Sequence, residues 1–319
     1  MPSEFDLIAR FFTRPAPNAV LGVGDDAALL LPTPGTELVV SSDMLVAGRH
    51  FFTHADPRLL GHKALAVNLS DLAAMGAVPR WATLSLALPA VDESWLSDFS
   101  QGFFELAARF GVSLVGGDTT RGPLNVCITV LGEVPAGRAL RRSGARAGDD
   151  IWVSGELGAA ALGLRYLLGQ AALDAGDAAL CLDRLHRPEP RVVFGDMLAC
   201  VAHAAIDISD GLLADLGHIL ARSGVGAVVE FERLPAHPVV SSRLADALAR
   251  RCLLAGGDDY ELCFTAPPDR ARAIQAVAQS AGVAATRIGR ITAEPGLRLR
   301  DGAGQDMEIG ERGFDHFAE

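Results

Sequence analysis

Residues 56–79, DPRLLGHKALAVNLSDLAAMGAVP, have the pattern of a buried helix with one acid inside it. Asp56 suits the N-cap, Pro57 the first helical position and Gly76 the C′ position, and Pro79 forbids continuation. Leu60, Ala64, Val67, Ala74 and Met75 share a stripe at helical spacing. Leu65, Leu69 and Leu72 cover other faces, so the segment is apolar nearly all round. Asp71 falls on the stripe of Leu60, Val67 and Met75, with Asn68 beside it. A carboxylate in that position calls for a cation, an arginine or a set of N–H donors, because an unpaired buried charge is costly. An exposed rim or a structural ion pair would also satisfy it, so the positions of the other acids decide.

Working outward, residues 4–14 form an amphipathic helical pattern, and residues 20–31 are two short apolar runs broken by Gly24-Asp25-Asp26. Residues 37–42 read as a strand that stops at Asp43, and residues 81–88 as a second strand. Trp95, Phe99, Phe103 and Leu106 recur at three or four residues and make 94–110 a helix with an aromatic core face. Residues 112–115 form a strand running into Gly116-Gly117-Asp118, and 124–134 a longer one. The Gly- and Arg-rich stretch 137–148 has no apolar run and is the natural boundary between two domains, 1–137 and 149–319, with 138–148 as linker. Beyond it, strands at 151–154, 205–208, 226–231 and 260–265 alternate with helices at 156–168, 192–203, 212–222, 241–251 and 270–280. Residues 168–190 look looser, and two or three strands with a turn at Asp301-Gly302 finish the chain. The fold class is therefore α/β or α+β in two domains.

The 319 residues carry a formal charge of −11 and are half hydrophobic, which provides a large core and argues against a nucleic-acid backbone as partner. No run is long enough to span a bilayer and no signal-peptide pattern opens the chain. The five cysteines show no paired spacing, so the expectation is a soluble cytoplasmic protein with reduced thiols. Lys63 is the only lysine, and its surroundings are not a P-loop; protein-kinase signatures are missing too. A polyphosphate handled here would be met by metal ions and a few arginines, with Arg121, Arg141 and Arg142 as candidates.

One pattern recurs: Gly or Ser followed by Asp, at Gly24-Asp25-Asp26, Ser41-Ser42-Asp43, Gly116-Gly117-Asp118, Asp207-Ile208-Ser209-Asp210 and Gly256-Gly257-Asp258-Asp259. Each alone is ordinary turn chemistry, which is how Gly148-Asp149-Asp150 is read. Five together with Asp71 point to hard oxygen ligands gathered at strand ends. They are not in one EF-hand loop, and the cysteines and histidines have no zinc spacing. Dispersed carboxylates suit Mg2+, which binds through one or two of them plus substrate phosphates.

The segments GVGDDAALL, VVSSDMLVAGRHF, HKALAVNLSDLAAMGA, LVGGDTTRGP, LRRSGARAGD, IDISDGLLADLGHI, GGDDYELCF and GFDHFA, in this order over nearly the whole chain, resemble the thiamine-monophosphate kinase family. That family belongs to the superfamily of aminoimidazole ribonucleotide synthetase and selenophosphate synthetase. A selenophosphate synthetase would carry a reactive Cys near its N-terminus followed by a lysine; here no cysteine precedes Cys127. The resemblance implies a two-domain PurM-like architecture, a homodimer joined through the N-terminal sheets, and Mg2+-dependent phosphorylation of thiamine monophosphate to thiamine diphosphate with ATP as co-substrate. It implies direct in-line transfer with no general base. By motif, Asp26, Ser41, Ser42, Asp43, Asp71, Asp118, Asp207 and Asp210 would be Mg2+ ligands. Gly117, Asp118, Arg142 and Ser209 would contact ATP, and His50, Asp258 and Phe314 would hold thiamine monophosphate. At two places the chain departs from the family pattern: Asp258 stands where Glu is usual, and Phe314 where Tyr or Trp is usual. An ATP-dependent synthetase and a non-catalytic nucleotide-binding scaffold are the other readings the residues allow.

Overall fold

A computed structural model of the chain describes residues 3–310 and 313. The acid-bearing helix runs Pro57–Ala74. Asp56 caps it, its Oδ1 accepting from the N–H groups of Arg58 and Leu59 at 2.9 and 3.0 Å. Gly76 ends it at φ +69°, where the Ala77 N–H returns to the Leu72 carbonyl. Leu60, Leu65, Val67, Leu69 and Leu72 are all buried, each contributing on the order of 1.5–3 kcal/mol relative to exposure.

Two compact units divide the chain, one built from residues up to 72 and from 77–137, the other from 73–76 and from 138 onward. The first holds strands β1 (Thr36–Val46), β2 (Val78–Leu88), β3 (Ser113–Arg121) and β4 (Asn125–Pro135) in the order β1-β4-β2-β3. Both neighbours of β4 pair antiparallel, while β2 and β3 are parallel. The crossover between them is the helix Glu93–Phe110, capped by Asp92 and closed by Gly111 at φ +66°. Trp81, Phe99 and Phe103 fill the core. The two long helices touch backbone to backbone: a Cβ on Gly61 would lie 2.1 Å from the Phe99 carbonyl oxygen, and one on Gly102 1.9 Å from that of Arg58.

Two strands run further than their sequence predicts. β1 continues through Ser41-Ser42-Asp43 to Val46, and β3 includes Gly116-Gly117-Asp118. The eleven residues of β4 offer pairing along the whole of β1, and β2 does the same for β3, so partner strands override the local signal of Gly and Asp. These acids therefore stand within strands, not at their ends. Residues 20–31 form only isolated bridges, Leu21 with Leu29 and Val23 with Asp25.

The second unit contains β5 (Asp150–Ser154), β6 (Ala204–Asp207), β7 (Gly226–Glu230), β8 (Leu262–Ala266), β9 (Ala285–Thr292), β10 (Gly296–Arg300) and β11 (Asp306–Met307), ordered β11-β10-β7-β9-β5-β8-β6. Every pair is antiparallel except β7 with β10. Ile151, Val153, Ile206, Leu216, Ile219, Val229, Cys263 and Ile288 belong to one buried cluster. The helix Ala175–His186, capped by Asp174, lies in the stretch expected to be loose; its alanines and Gly176 mute the apolar periodicity. The helix expected over 192–203 ends at Leu198, and the one expected over 241–251 is split into Pro238–Ser241 and Ala247–Ala255. Gly148-Asp149-Asp150 is more than a turn. Asp149 is buried and accepts from the Arg146 N–H, with His203 Nδ1 2.9 Å away, and buried Asp150 opens β5 beside Arg287 at 2.8 Å.

Candidate functional site

In the first unit, Ser41 and Asp43 stand on the face of β1 that meets the acid-bearing helix. The Ser41 hydroxyl donates to Asp71 Oδ2 at 2.5 Å, and the Asp43 N–H donates to Asn68 Oδ1 at 3.0 Å. Asn68 is itself fixed by donating through Nδ2 to the Ala64 carbonyl at 2.9 Å. Asp71 is half-buried rather than sealed, and its carboxylate is held by Ser41. The Asp71 carboxylate, the Ser41 hydroxyl and the Asn68 amide oxygen, with Asp43 two residues along the same face of β1, are hard oxygen donors of the kind Mg2+ uses.

Alternation along the strands separates the other first-unit candidates. The Ser42 hydroxyl lies 2.9 Å from Thr129 Oγ1 and 3.6 Å from Cys127 Sγ, on the opposite face from Ser41. By register, Ser42 pairs with Thr129, Thr129 with Thr83 and Thr83 with Gly116, which puts exposed Asp118 on that same opposite face. Gly117 has φ +145°, and a Cβ there would sit 1.8 Å from the Leu84 carbonyl oxygen, so glycine is required by close approach to β2. Asp26 is exposed and receives no side chain from this set, its N–H donating to Asp25 Oδ1. His50 is half-buried in the turn after β1, where its Nδ1 accepts from the Val46 N–H at 3.0 Å. Among the described residues, no three His, Cys, Asp or Glu side chains form a metal cage. Within the first unit, hydrogen bonds tie Ser41 to Asp71 and Asp43 to Asn68.

In the second unit, Asp207 is buried at the end of β6, and Ser209 and Asp210 follow in the turn before the helix Leu212–Ser223. That turn is hydrogen-bonded to the 256–260 loop: the Asp258 N–H donates to the Ser209 carbonyl and the Tyr260 N–H to the Ile208 carbonyl, both at 2.9 Å. Asp258 and Tyr260 adopt left-handed backbone at φ +69° and +50°, unusual for residues other than glycine. Arg142 is exposed, and its carbonyl accepts from Ser223 Oγ at 2.8 Å at the far end of the helix. Phe314 lies outside the described residues.

Three acids outside the predicted site residues hold this turn and loop. Asp215 is buried and accepts at Oδ2 from the N–H groups of Ser209, Asp210 and Gly211. Burial and then the charge of Asp210 push its pKa up to about 7 against the pull of those donors. Asp259 accepts from the Gly158 N–H with both oxygens, and burial raises its pKa well above the ordinary range. Glu261 is paired with Arg191 and accepts from Ser154 Oγ at 2.6 Å. Of the three, Asp215 carried a sequence signal, an acid in the first turn of a helix whose N-cap is glycine.

Residues 24–134 match the family model of the AIR synthase related protein N-terminal domain, and residues 146–302 that of its C-terminal domain. The thiamine-monophosphate kinase of Salmonella typhimurium is 47% identical over 99% of this chain and 98% of that protein. The crystal structure of thiamine-monophosphate kinase from Stenotrophomonas maltophilia K279a superimposes with a TM-score of 0.83 at 50% identity, covering 92% of this chain and 94% of the other. A structure described as AaThiL complexed with AMPPCP and TMP gives a TM-score of 0.79 at 31% identity, covering 92% of both chains. With its two domains matched in order and its relatives alike end to end, the chain belongs to the thiamine-monophosphate kinase family of AIR synthase related enzymes.

Proposed function

We propose that this protein transfers the γ-phosphoryl group of ATP to thiamine monophosphate, giving thiamine diphosphate and ADP. The observation that carries this reading is the arrangement of Ser41, Asp43 and Asp71 on a strand and a helix of a chain in this family, with Asn68 bracing it. It offers oxygen ligands and a fixed position. A base is unnecessary: the attacking oxygen belongs to a phosphate monoester that is largely ionised at neutral pH. That oxygen forms a bond to the γ-phosphorus while the bond to the β–γ bridging oxygen breaks, the electron pair leaving with ADP. What remains for the protein is alignment and neutralisation of charge.

The donor chemistry fits Mg2+, and Asp43 and Asp71 are the residues we place first in holding it, with Ser41 orienting Asp71. Asp26, Ser42 and Asp118 in the first unit, and Asp207 and Asp210 in the second, complete the proposed ligand set. When bound, Mg2+ would offset the charge of the phosphates. Gly117, Asp118, Arg142 and Ser209 are proposed to contact ATP, and His50, Asp258 and Phe314 to contact thiamine monophosphate. The shorter Asp258 sits on a backbone held in place by its loop, so its reach is fixed by that loop. A homodimer through the first unit fits the apolar face of edge strand β1, where Leu38, Val40 and Met44 are 45%, 58% and 55% exposed. The described residues contain no helix long and apolar enough to cross a membrane, and a cytoplasmic location is proposed with the function.

Purified protein given ATP, Mg2+ and thiamine monophosphate is expected to form thiamine diphosphate and ADP in equal amounts and to leave unphosphorylated thiamine untouched. Consumption of ATP without thiamine diphosphate would favour a synthetase, and binding of ATP without consumption a scaffold.

A further inference from the structure

We infer that Asp215 is a positioning residue for phosphoryl transfer: its carboxylate sets the backbone of the 209–211 turn, and through that turn the 256–260 loop. The inference rests on the function proposed above. The helix Leu212–Ser223 begins after Gly211, which has no side chain with which to cap it. Asp215 reaches back from the first turn instead, and one oxygen accepts from Ser209 at 3.0 Å, Asp210 at 3.1 Å and Gly211 at 3.1 Å. The side chain is buried, with the residue 3% exposed, so bulk water has little access to replace it. Ser209 and Asp210, whose side chains are proposed to meet ATP and Mg2+, therefore have their main chain fixed by a single neighbouring acid.

The turn in its own right fixes its neighbour. Asp258 and Tyr260 are tied to the carbonyls of Ser209 and Ile208, and the Ile208 N–H donates to the Glu261 carbonyl at 2.8 Å. A Cβ on Gly257 would lie 2.4 Å from the Ser209 carbonyl oxygen, and one on Gly211, at φ +121°, within 3.0 Å of the Ala255 backbone. The two segments can lie this close only with glycine at both places. Moving the 209–211 turn therefore moves the backbone that carries Asp258, so Asp215 serves the nucleotide side and the acceptor side at once. It acts as a hydrogen-bond acceptor, not as a metal ligand.

The test compares Asp215→Asn, which keeps an acceptor oxygen in nearly the same place, with Asp215→Ala, which keeps none. Amide hydrogen exchange at 209–211 and steady-state kinetics with ATP and thiamine monophosphate are read on full-length protein. Asp215→Asn is expected to keep slow exchange and a kcat within about threefold of the parent. Asp215→Ala is expected to exchange at least about tenfold faster at these amides and to lose about 10–100-fold in kcat, as removal of a supporting group commonly does. Its KM values for both substrates should rise, although circular dichroism shows it folded. Should Asp215→Ala fail to fold, Asp215→Glu serves, because it keeps the charge and moves the oxygen by one methylene; a loss of about tenfold is expected. Normal kcat per folded molecule in Asp215→Ala, or in Asp215→Glu, would reduce Asp215 to a helix cap and overturn the inference. An Asp215→Asn as inactive as Asp215→Ala with its amides still protected would show that charge acts, and would also overturn it. The exchange measurement stands even if the parent protein makes no thiamine diphosphate, so failure of the proposed function is distinguishable from failure of this inference.

Discussion

The two units present their proposed ligands by different means. In the first, Ser41 and Asp43 ride on an eleven-residue strand and Asp71 on an eighteen-residue helix, and hydrogen bonds to the side chains of Asp71 and Asn68 join strand to helix. In the second, Asp207 ends a four-residue strand, and Ser209 and Asp210 sit in a turn held by Asp215 and by main-chain bonds to the 256–260 loop. A carboxylate borne on a strand or helix takes its position from apolar packing, which survives the loss of the acid. A carboxylate borne on a turn takes its position from buried polar groups, and removing one of those leaves partners that water cannot reach. Chemistry and folding should therefore separate cleanly under mutation in the first unit and mix in the second.

The largest effect should come from breaking the buried pair of Glu261 and Arg191. Arg191→Met takes the guanidinium partner away from the buried Glu261 carboxylate and leaves it the hydroxyl of Ser154, and about 3–5 kcal/mol of stability should go with it. Urea unfolding measures this, and a loss under about 1 kcal/mol would mean that the second unit does not depend on its buried polar groups. Next comes Asp71→Asn, the first unit's counterpart. It should lower Mg2+-dependent turnover by about 10²–10³-fold, the scale of losing one electrostatic contact to the reacting groups. The melting temperature should stay within a few degrees of the parent, since the helix is held by its leucines. Near-normal turnover would remove Asp71 from the ligand set; full turnover per folded molecule with a large fall in melting temperature would reverse the comparison.

The same distinction explains what the sequence disclosed. The 56–79 stretch announced its helix, caps and buried faces because periodicity, Asp56, Pro57 and Gly76 all speak for one local structure, and the fold contains it. The GGDD and DISD segments announced that something needed tight backbone, and motif resemblance said for what. Pairing was illegible: nothing in Ser41-Ser42-Asp43 tells that β4 carries β1 on to Val46, and it is this continuation that turns Ser42 away from Ser41. Illegible for a different reason were the structural roles of Asp259 and Glu261, whose partners Gly158, Ser154 and Arg191 lie 70 to 107 residues away. Local patterns disclose what neighbours in sequence do for one another; a buried acid answered from a hundred residues off leaves no local trace.

Glu133 offers the smallest and most specific test, because it is a turn-holding buried acid placed in the first unit. It accepts from the Thr33 N–H at 2.6 Å, from the Thr33 hydroxyl at 2.8 Å and from Arg80 at 3.0 Å, and it tethers the loop that leads into β1. Burial raises its pKa, but the Thr33 donors and Arg80 outweigh burial and leave it below the ordinary 4.5. A depressed folded-state pKa means stability that is fully present above the unfolded value and is lost as pH falls through the folded one. Glu133→Gln should thus cost about 1–2 kcal/mol at neutral pH, with turnover per folded molecule unchanged. The deficit against the parent should shrink as the pH is taken below 4.5, because the parent then loses the same charge. Thermal unfolding of both proteins between pH 7 and pH 3 reads the convergence. A deficit that stays constant over that range would mean the carboxylate charge contributes nothing and the amide fails for reasons of fit, and a fall in turnover would tie this loop to the site after all.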